Sequence, residues 1–224
     1  MSALQRVYLE STVWYQLANY SSSEFKDRAR QLFDLVEQKT YAVYISTIVL
    51  EELALSQPKY RRRLEELLTR YRPSLIVQNV EADDIAAAYL ENSYKAMDPA
   101  SVVVDALHIA LATTANISYV ATYNYRYMLN VRILQHINAV NLLAGYNRFL
   151  GVLPPFMFVN LQDYGGEKGT VDRVVWDIKR VLGTRVLGRT QQAPAQRCAY
   201  YDSIAQDGAH RLGLPIVKLT DVLY

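Results

Sequence analysis

Along the first 160 residues, short continuous apolar runs alternate with longer stretches in which apolar positions recur every three or four residues. These are the patterns of buried strands and amphipathic helices. Val7-Tyr8-Leu9 reads as a strand that ends on the carboxylate of Glu10. Residues 24–38 set Phe25, Ala29, Leu32, Phe33 and Val36 on one helical face, behind the capping hydroxyls of Ser21, Ser22 and Ser23. Tyr41-Ala42-Val43-Tyr44-Ile45 is a second strand, and Ser46 opens a helix through Val49, Leu50 and Leu53. Pro58 starts the next helix, whose apolar face is Tyr60, Leu64, Leu67, Leu68 and Tyr71. Leu75-Ile76-Val77 is a third strand, followed by helices over 83–95 and 99–115, the latter apolar on most of its surface. Ser118-Tyr119-Val120-Ala121-Thr122 is a fourth strand leading into Asn124. A helix over 131–143 and an edge strand, Phe156-Met157-Phe158-Val159, follow.

Short apolar strands alternating with helices predict a three-layer α/β/α fold around a mostly parallel sheet, because right-handed crossovers join such strands. Gly165-Gly166-Glu167-Lys168-Gly169 has linker composition, so residues 1–164 are read as one domain and 165–224 as a small α+β extension. The extension reads as helices over 171–182 and 200–212, a polar loop between them, and a strand, Ile216-Val217-Lys218-Leu219.

Half of the chain is apolar, enough for a sizeable core, yet no window approaches the ~18 uninterrupted apolar residues of a membrane span. The first six residues lack the order of a signal peptide, so a cytoplasmic protein without membrane contact is expected. Cys198 is the only cysteine, which excludes an internal disulfide and a cysteine-based zinc cage; a metal here needs oxygen or histidine ligands. The formal charge of +2 divides unevenly, with −1 on residues 1–164 and +3 on residues 165–224.

The chemistry centres on an apolar helix that carries Asp105 and His108. A carboxylate buried alone costs several kcal/mol, by roughly the estimate for desolvated ions, so Asp105 needs partners. In an open parallel sheet, ligands bind beyond the carboxyl ends of the strands. Glu10 and Asn124 directly follow strands, Glu52 lies in the helix after the second strand, and Asp105 lies near the start of its own helix. Their oxygens can converge, and a set of carboxylates with oxygen-only donors suits Mg²⁺ or Mn²⁺ and attack on a phosphate.

The segments Val7-Tyr8-Leu9-Glu10-Ser11-Thr12-Val13, Ile45 to Leu53, Asp105-Ala106-Leu107-His108-Ile109-Ala110 and Tyr119 to Tyr125 together resemble the PIN domain family. The similarity is greatest to the VapC-like toxin nucleases of prokaryotic toxin–antitoxin pairs. It spans about residues 6–163 in four segments in the right order, with residues 138–145 similar to a further family stretch. It implies a Mg²⁺- or Mn²⁺-dependent endoribonuclease, usually a homodimer and usually held by an antitoxin protein. Glu10, Glu52 and Asp105 match the acidic metal ligands, and Asn124 stands in the place of a fourth acid. Ser11 and Thr12 match hydroxyls that orient the first carboxylate, and Thr122 is grouped with them as a supporting residue. Most relatives have Asp where this chain has Glu10, which shifts the carboxylate by about one C–C bond. Asn124 lowers the charge of the site from −4 to −3. Residues 165–224 faintly resemble the small antitoxin partners of this branch, which implies a self-inhibitory segment, with Arg173, Arg180, Arg185 or Arg189 reaching the carboxylates of the same chain or of a dimer mate; the equal alternative is a packing extension that covers an edge strand or extends a dimer.

Tyr123, Tyr125 and Arg126, around Asn124, are the candidate RNA contacts, by stacking and phosphate pairing. Glu51 points away from its neighbour Glu52 and is read as a solvated face. His108 is read as a hydrogen-bonded core histidine. Arg61, Arg62, Arg63, Arg70 and Arg72 either steer phosphates or form a salt-bridged face with Glu65 and Glu66. The competing functional reading is a PIN-like scaffold with little or no activity, serving as a regulatory or binding module.

Overall fold

The computed structural model describes residues 4–160, apart from 96 and 147, together with 216 and 217. β1 (Gln5–Leu9) runs into α1 (Ser11–Ala18) and α2 (Glu24–Glu37); β2 (Tyr41–Ser46) is followed by α3 (Thr47–Ala54) and α4 (Pro58–Tyr71). β3 (Ser74–Ile76) leads to α5 (Val80–Asn92) and α6 (Pro99–Thr114), and β4 (Tyr119–Ala121) to α7 (Val131–Leu143) and β5 (Gly151–Leu153). β6 is Ile216–Val217.

The strands form one sheet in the order β5-β4-β1-β2-β3-β6, and every pairing is parallel. Helices cover both faces: α1 packs with α2 and α4, whereas α5 packs with α6 and α7. This is the expected α/β/α class. Strand order reverses beside β1, since β2 and β3 lie on one side of it and β4 and β5 on the other. That reversal opens a crevice at the carboxyl ends of β1 and β4, the usual seat of a ligand in such sheets.

Local chemistry sets the element ends. Ser23, Ser46, Asn79, Asp98 and Asn130 each cap a helix by accepting a backbone N–H in its first turn. The Asn79 cap starts α5 three residues earlier than the apolar pattern suggested. Pro58 sits at the start of α4, and Arg72 ends it in the left-handed conformation just before Pro73. α1 was not expected as a separate helix; Val13, Trp14, Leu17 and Ala18 are its buried residues. Trp14 meets the edge of Phe33 from α2 at 5.0 Å between ring centres.

The expected edge strand at residues 156–159 is corrected. Pro155–Asn160 is a 3-10 helix, and the last ladder is formed instead by Gly151–Leu153 beside β4. Pro155 has no N–H to give a ladder, and Met157 donates its own to the carbonyl of Pro154 at 3.0 Å. Phe158 alone of these aromatics is buried, edge-on to Tyr41 and Tyr119. The helices expected at 171–182 and 200–212, and the proposed domain boundary, lie outside the described residues. Of the expected strand at 216–219, Ile216 and Val217 pair with Leu75 and Ile76 of β3.

Candidate metal centre

Glu10 leaves the carboxyl end of β1 with its N–H donated to Ala121 of β4 at 3.1 Å, and it also caps α1. Glutamate reaches further than the usual capping residues, so its carboxylate folds back into a cage of hydroxyls. Oε1 accepts from Ser11 Oγ (2.7 Å) and from the Thr12 N–H (3.2 Å). Oε2 accepts from Thr12 Oγ1 and from Thr122 Oγ1, the latter at 2.8 Å. The donor directions are fixed, because Thr12 Oγ1 itself accepts the Tyr123 N–H (3.0 Å) and Thr122 Oγ1 the Asn124 N–H (2.9 Å). All four donors fall on one buried carboxylate, and both of its oxygens are occupied.

Glu52 comes from the second turn of α3, which Ser46 caps at the end of β2. Its Oε2 meets His108 Nε2 of α6 at 3.0 Å. His108 is buried, and its Nδ1 lies 2.7 Å from the hydroxyl of Tyr8, which lies 2.6 Å from Ser46 Oγ. Ser46 Oγ accepts the Val49 N–H, so its own proton is available to Tyr8. Ser46, Tyr8 and His108 thus form a hydrogen-bonded chain that ends on Glu52 and joins β1, β2 and α6. Both imidazole nitrogens are used, as expected of a hydrogen-bonded core histidine. Burial pushes the Glu52 carboxyl up, but His108 and the Ser11 hydroxyl outweigh it and hold the group below its ordinary range. Burial likewise pushes His108 down, and the hydrogen bond to Glu52 with the charges of Glu10, Glu52 and Asp105 reverses the shift upward.

Asp105, on the second turn of α6, faces Asn124 across the crevice. Asn124 Nδ2 lies 3.0 and 2.9 Å from its two oxygens, and Asn124 Oδ1 accepts the Tyr127 N–H at 3.1 Å. The Asn124 oxygen expected to face a cation or a water is thus turned toward Tyr127, and the amide contributes donors to Asp105. Desolvation pushes the Asp105 carboxyl up to about 6; the Asn124 hydrogen bond and His108 oppose this, while Glu10 and Glu52 add to it.

Ligand atoms of Glu10, Glu52 and His108 all lie within 4.8 Å of one another, and Asp105 is near enough to feel both carboxylates. Among the described residues, no lysine or arginine forms an ion pair with Glu10, Glu52 or Asp105. Burial first, and the charges of Glu10 and Glu52 after it, disfavour the Asp105 anion, and a hard divalent cation held by oxygens would relieve both. Glu10, Glu52 and Asp105 are the carboxylates that could hold it, and His108 acts through Glu52.

The other expected residues lie around the rim. Tyr123 donates its hydroxyl to the Phe25 carbonyl at 2.6 Å and packs edge-on to the Phe25 ring, Tyr125 is half exposed, and Arg126 stands over the Tyr127 ring at 4.9 Å. Sequence reasoning missed Tyr8. The signal was a phenol in a strand buried on both faces, where its hydroxyl must find a partner. Glu51 is exposed, as expected.

No curated protein matches the chain. The model of the PIN domain family matches residues 7–134, which include Glu10, Glu52, Asp105 and Asn124. With more than half of its 224 residues matched, the chain belongs to the PIN domain family.

Proposed function

We propose that the chain is a Mg²⁺- or Mn²⁺-dependent endoribonuclease of the VapC-like toxin type, with Glu10, Glu52 and Asp105 as its acidic centre. The observation that carries this reading is the meeting of Glu10, Glu52 and His108 within 4.8 Å, with Asp105 near enough to feel both carboxylates and no lysine or arginine side chain paired to them among the described residues, at the strand-order reversal of a PIN domain. A bound divalent cation supplies Lewis-acid polarisation of a phosphoryl oxygen and of a water. Glu52, braced by His108, orients the attacking water. Asp105, with the higher proton affinity of the two, takes its proton at a carboxylate oxygen. Asn124 keeps both Asp105 oxygens facing the crevice. Tyr123, Tyr125 and Arg126 flank the RNA, Tyr125 by stacking. The reading includes a cytoplasmic homodimer, an antitoxin partner, and restraint of the site by residues 165–224, whose charge of +3 is opposite to that of the carboxylates.

Cleavage of a labelled RNA with Mn²⁺ and with EDTA tests this on the full chain. Wild type is expected to cut only with Mn²⁺, and Asp105→Asn to lose activity by about 100-fold or more, the usual scale for a group acting on developing charge. A second reading, an inactive PIN-like scaffold, is favoured by the four donors that already saturate Glu10 and by the neutral Asn124. Absence of both cutting and Mn²⁺ binding by calorimetry, in the full chain and in a chain ending at residue 164, would establish it.

A further inference from the structure

A groove of about 580 Å³ opens between the loop after α1 and the outer face of α4, lined in part by Tyr20, Lys59, Arg62, Arg63 and Arg70. Two of its cations are neutralised: Arg62 meets Glu66 at 3.1 Å and Arg70 meets Glu37 at 2.6 Å. Lys59 and Arg63 form no ion pair among the described residues and stand over aromatic rings instead, Lys59 at 4.8 Å from the centre of Tyr60 and Arg63 at 5.1 Å from that of Tyr20. Lys26 of α2 is held below the ordinary lysine range, by desolvation first and then by Arg63, so positive groups crowd this corner.

Tyr20 is 59% exposed, yet it is not free to swing. Its hydroxyl donates to the Lys59 carbonyl at 2.8 Å, and its ring lies 5.7 Å from Tyr60. A fixed, exposed ring beside a guanidinium suits an unpaired base, and the adjacent cations suit phosphates. An acidic peptide would use the cations but has no need of the ring. The groove runs along α4 from Lys59 to Arg70, on helices linked to the site: α4 follows α3, which carries Glu52, and Tyr15 of α1 donates to the Glu52 carbonyl at 2.5 Å.

We infer that this groove binds single-stranded RNA, its phosphates on Lys59 and Arg63 and a base on the exposed ring of Tyr20; as a path for substrate, this rests on the nuclease reading. The test is fluorescence anisotropy of the full chain with a labelled single-stranded oligoribonucleotide in EDTA, titrated at several salt concentrations. The Lys59→Glu/Arg63→Glu variant is expected to bind about tenfold or more weakly, with a salt slope flatter by about 1.4, from about 0.7 per phosphate on single strands. Tyr20→Ala is expected to lose about fivefold or more and Tyr20→Phe, which keeps the ring but not the bond that holds it, to lose less than Tyr20→Ala. Should charge reversal disturb the melting curve, Lys59→Gln/Arg63→Gln carries the same measurement with the same slope change. Wild-type affinity and slope in the folded double variant would overturn the proposal. So would polyglutamate competing as well as the oligonucleotide, which would assign the groove to an acidic protein. Binding that depends on Lys59 and Arg63 without Mn²⁺-dependent cutting keeps the groove and sinks the nuclease reading; metal-dependent cutting with unaltered binding does the reverse.

Discussion

Asp105 meets the conflict of its position by keeping its proton longer than an ordinary aspartate does. With its carboxyl at about 6 in the folded chain against 3.8 for the free side chain, the folded state holds more protons than the unfolded one between those values. Stability of the metal-free protein therefore falls as pH rises through this window and stays lowered above it. Asp105→Asn, which removes the charge and keeps the shape, is expected to raise the melting temperature in EDTA at pH 7.5 by about 2–4 °C, the usual equivalent of about 1 kcal/mol at this size, and to change it little near pH 4. Equal melting temperatures at pH 7.5 would show that neither burial nor the charges of Glu10 and Glu52 penalise the anion. The acidic residues themselves were legible in the sequence, because a charge following an apolar strand or inside an apolar helix stands out. The direction of the Asn124 amide was not, since it depends on the Tyr127 N–H, a backbone group fixed only by the folded loop.

Elements were legible where their chemistry is local. Helices announced by Ser46 and Pro58 start where those residues stand, and α7 runs over the residues expected of it. α1 was obscured by its eight-residue length and by a glutamate in the place where capping serine or aspartate is usual. The apolar residues 156–159 misled because Phe158 is buried by its contacts with Tyr41 and Tyr119, not by ladder pairing. What joins the elements under the site is the chain from Ser46 through Tyr8 to His108. Tyr8→Phe leaves His108 Nδ1 and Ser46 Oγ without that partner in a dry interior, an expected cost of about 1–3 kcal/mol in urea denaturation. Cleavage is expected to fall as well, through kcat more than KM, because Glu52 loses its brace. A variant as stable as wild type would mean that the hydroxyl contributes nothing to joining β1 to α6.

At the scale of the molecule, the order of strands was not legible, because nothing in a three-residue run such as Tyr119-Val120-Ala121 says which neighbour it joins. The crevice exists only because β4 takes the side of β1 opposite to β2, a decision made by crossovers and packing. The other edge is closed by β6, whose two residues stand on β3. A chain ending at residue 164 exposes the outer groups of Leu75 and Ile76, and bare edges recruit other chains. Light scattering is expected to show broad self-association of that shorter chain at concentrations where the full chain gives one discrete species; a single sharp species would mean that β3 needs no cover.

Placing the closing strand at Ile216–Val217 also gives the sheet a history. Among the described residues, those of five strands have been synthesised once Leu153 has been made, and 64 more residues, 154–217, must be translated before β6 exists. At typical speeds of synthesis that is about 3–13 s. During those seconds every newborn molecule offers the open side of β3 to whatever is near the ribosome, be it a chaperone or a neighbouring nascent chain, and the first encounter of this protein is decided before its own last strand can compete.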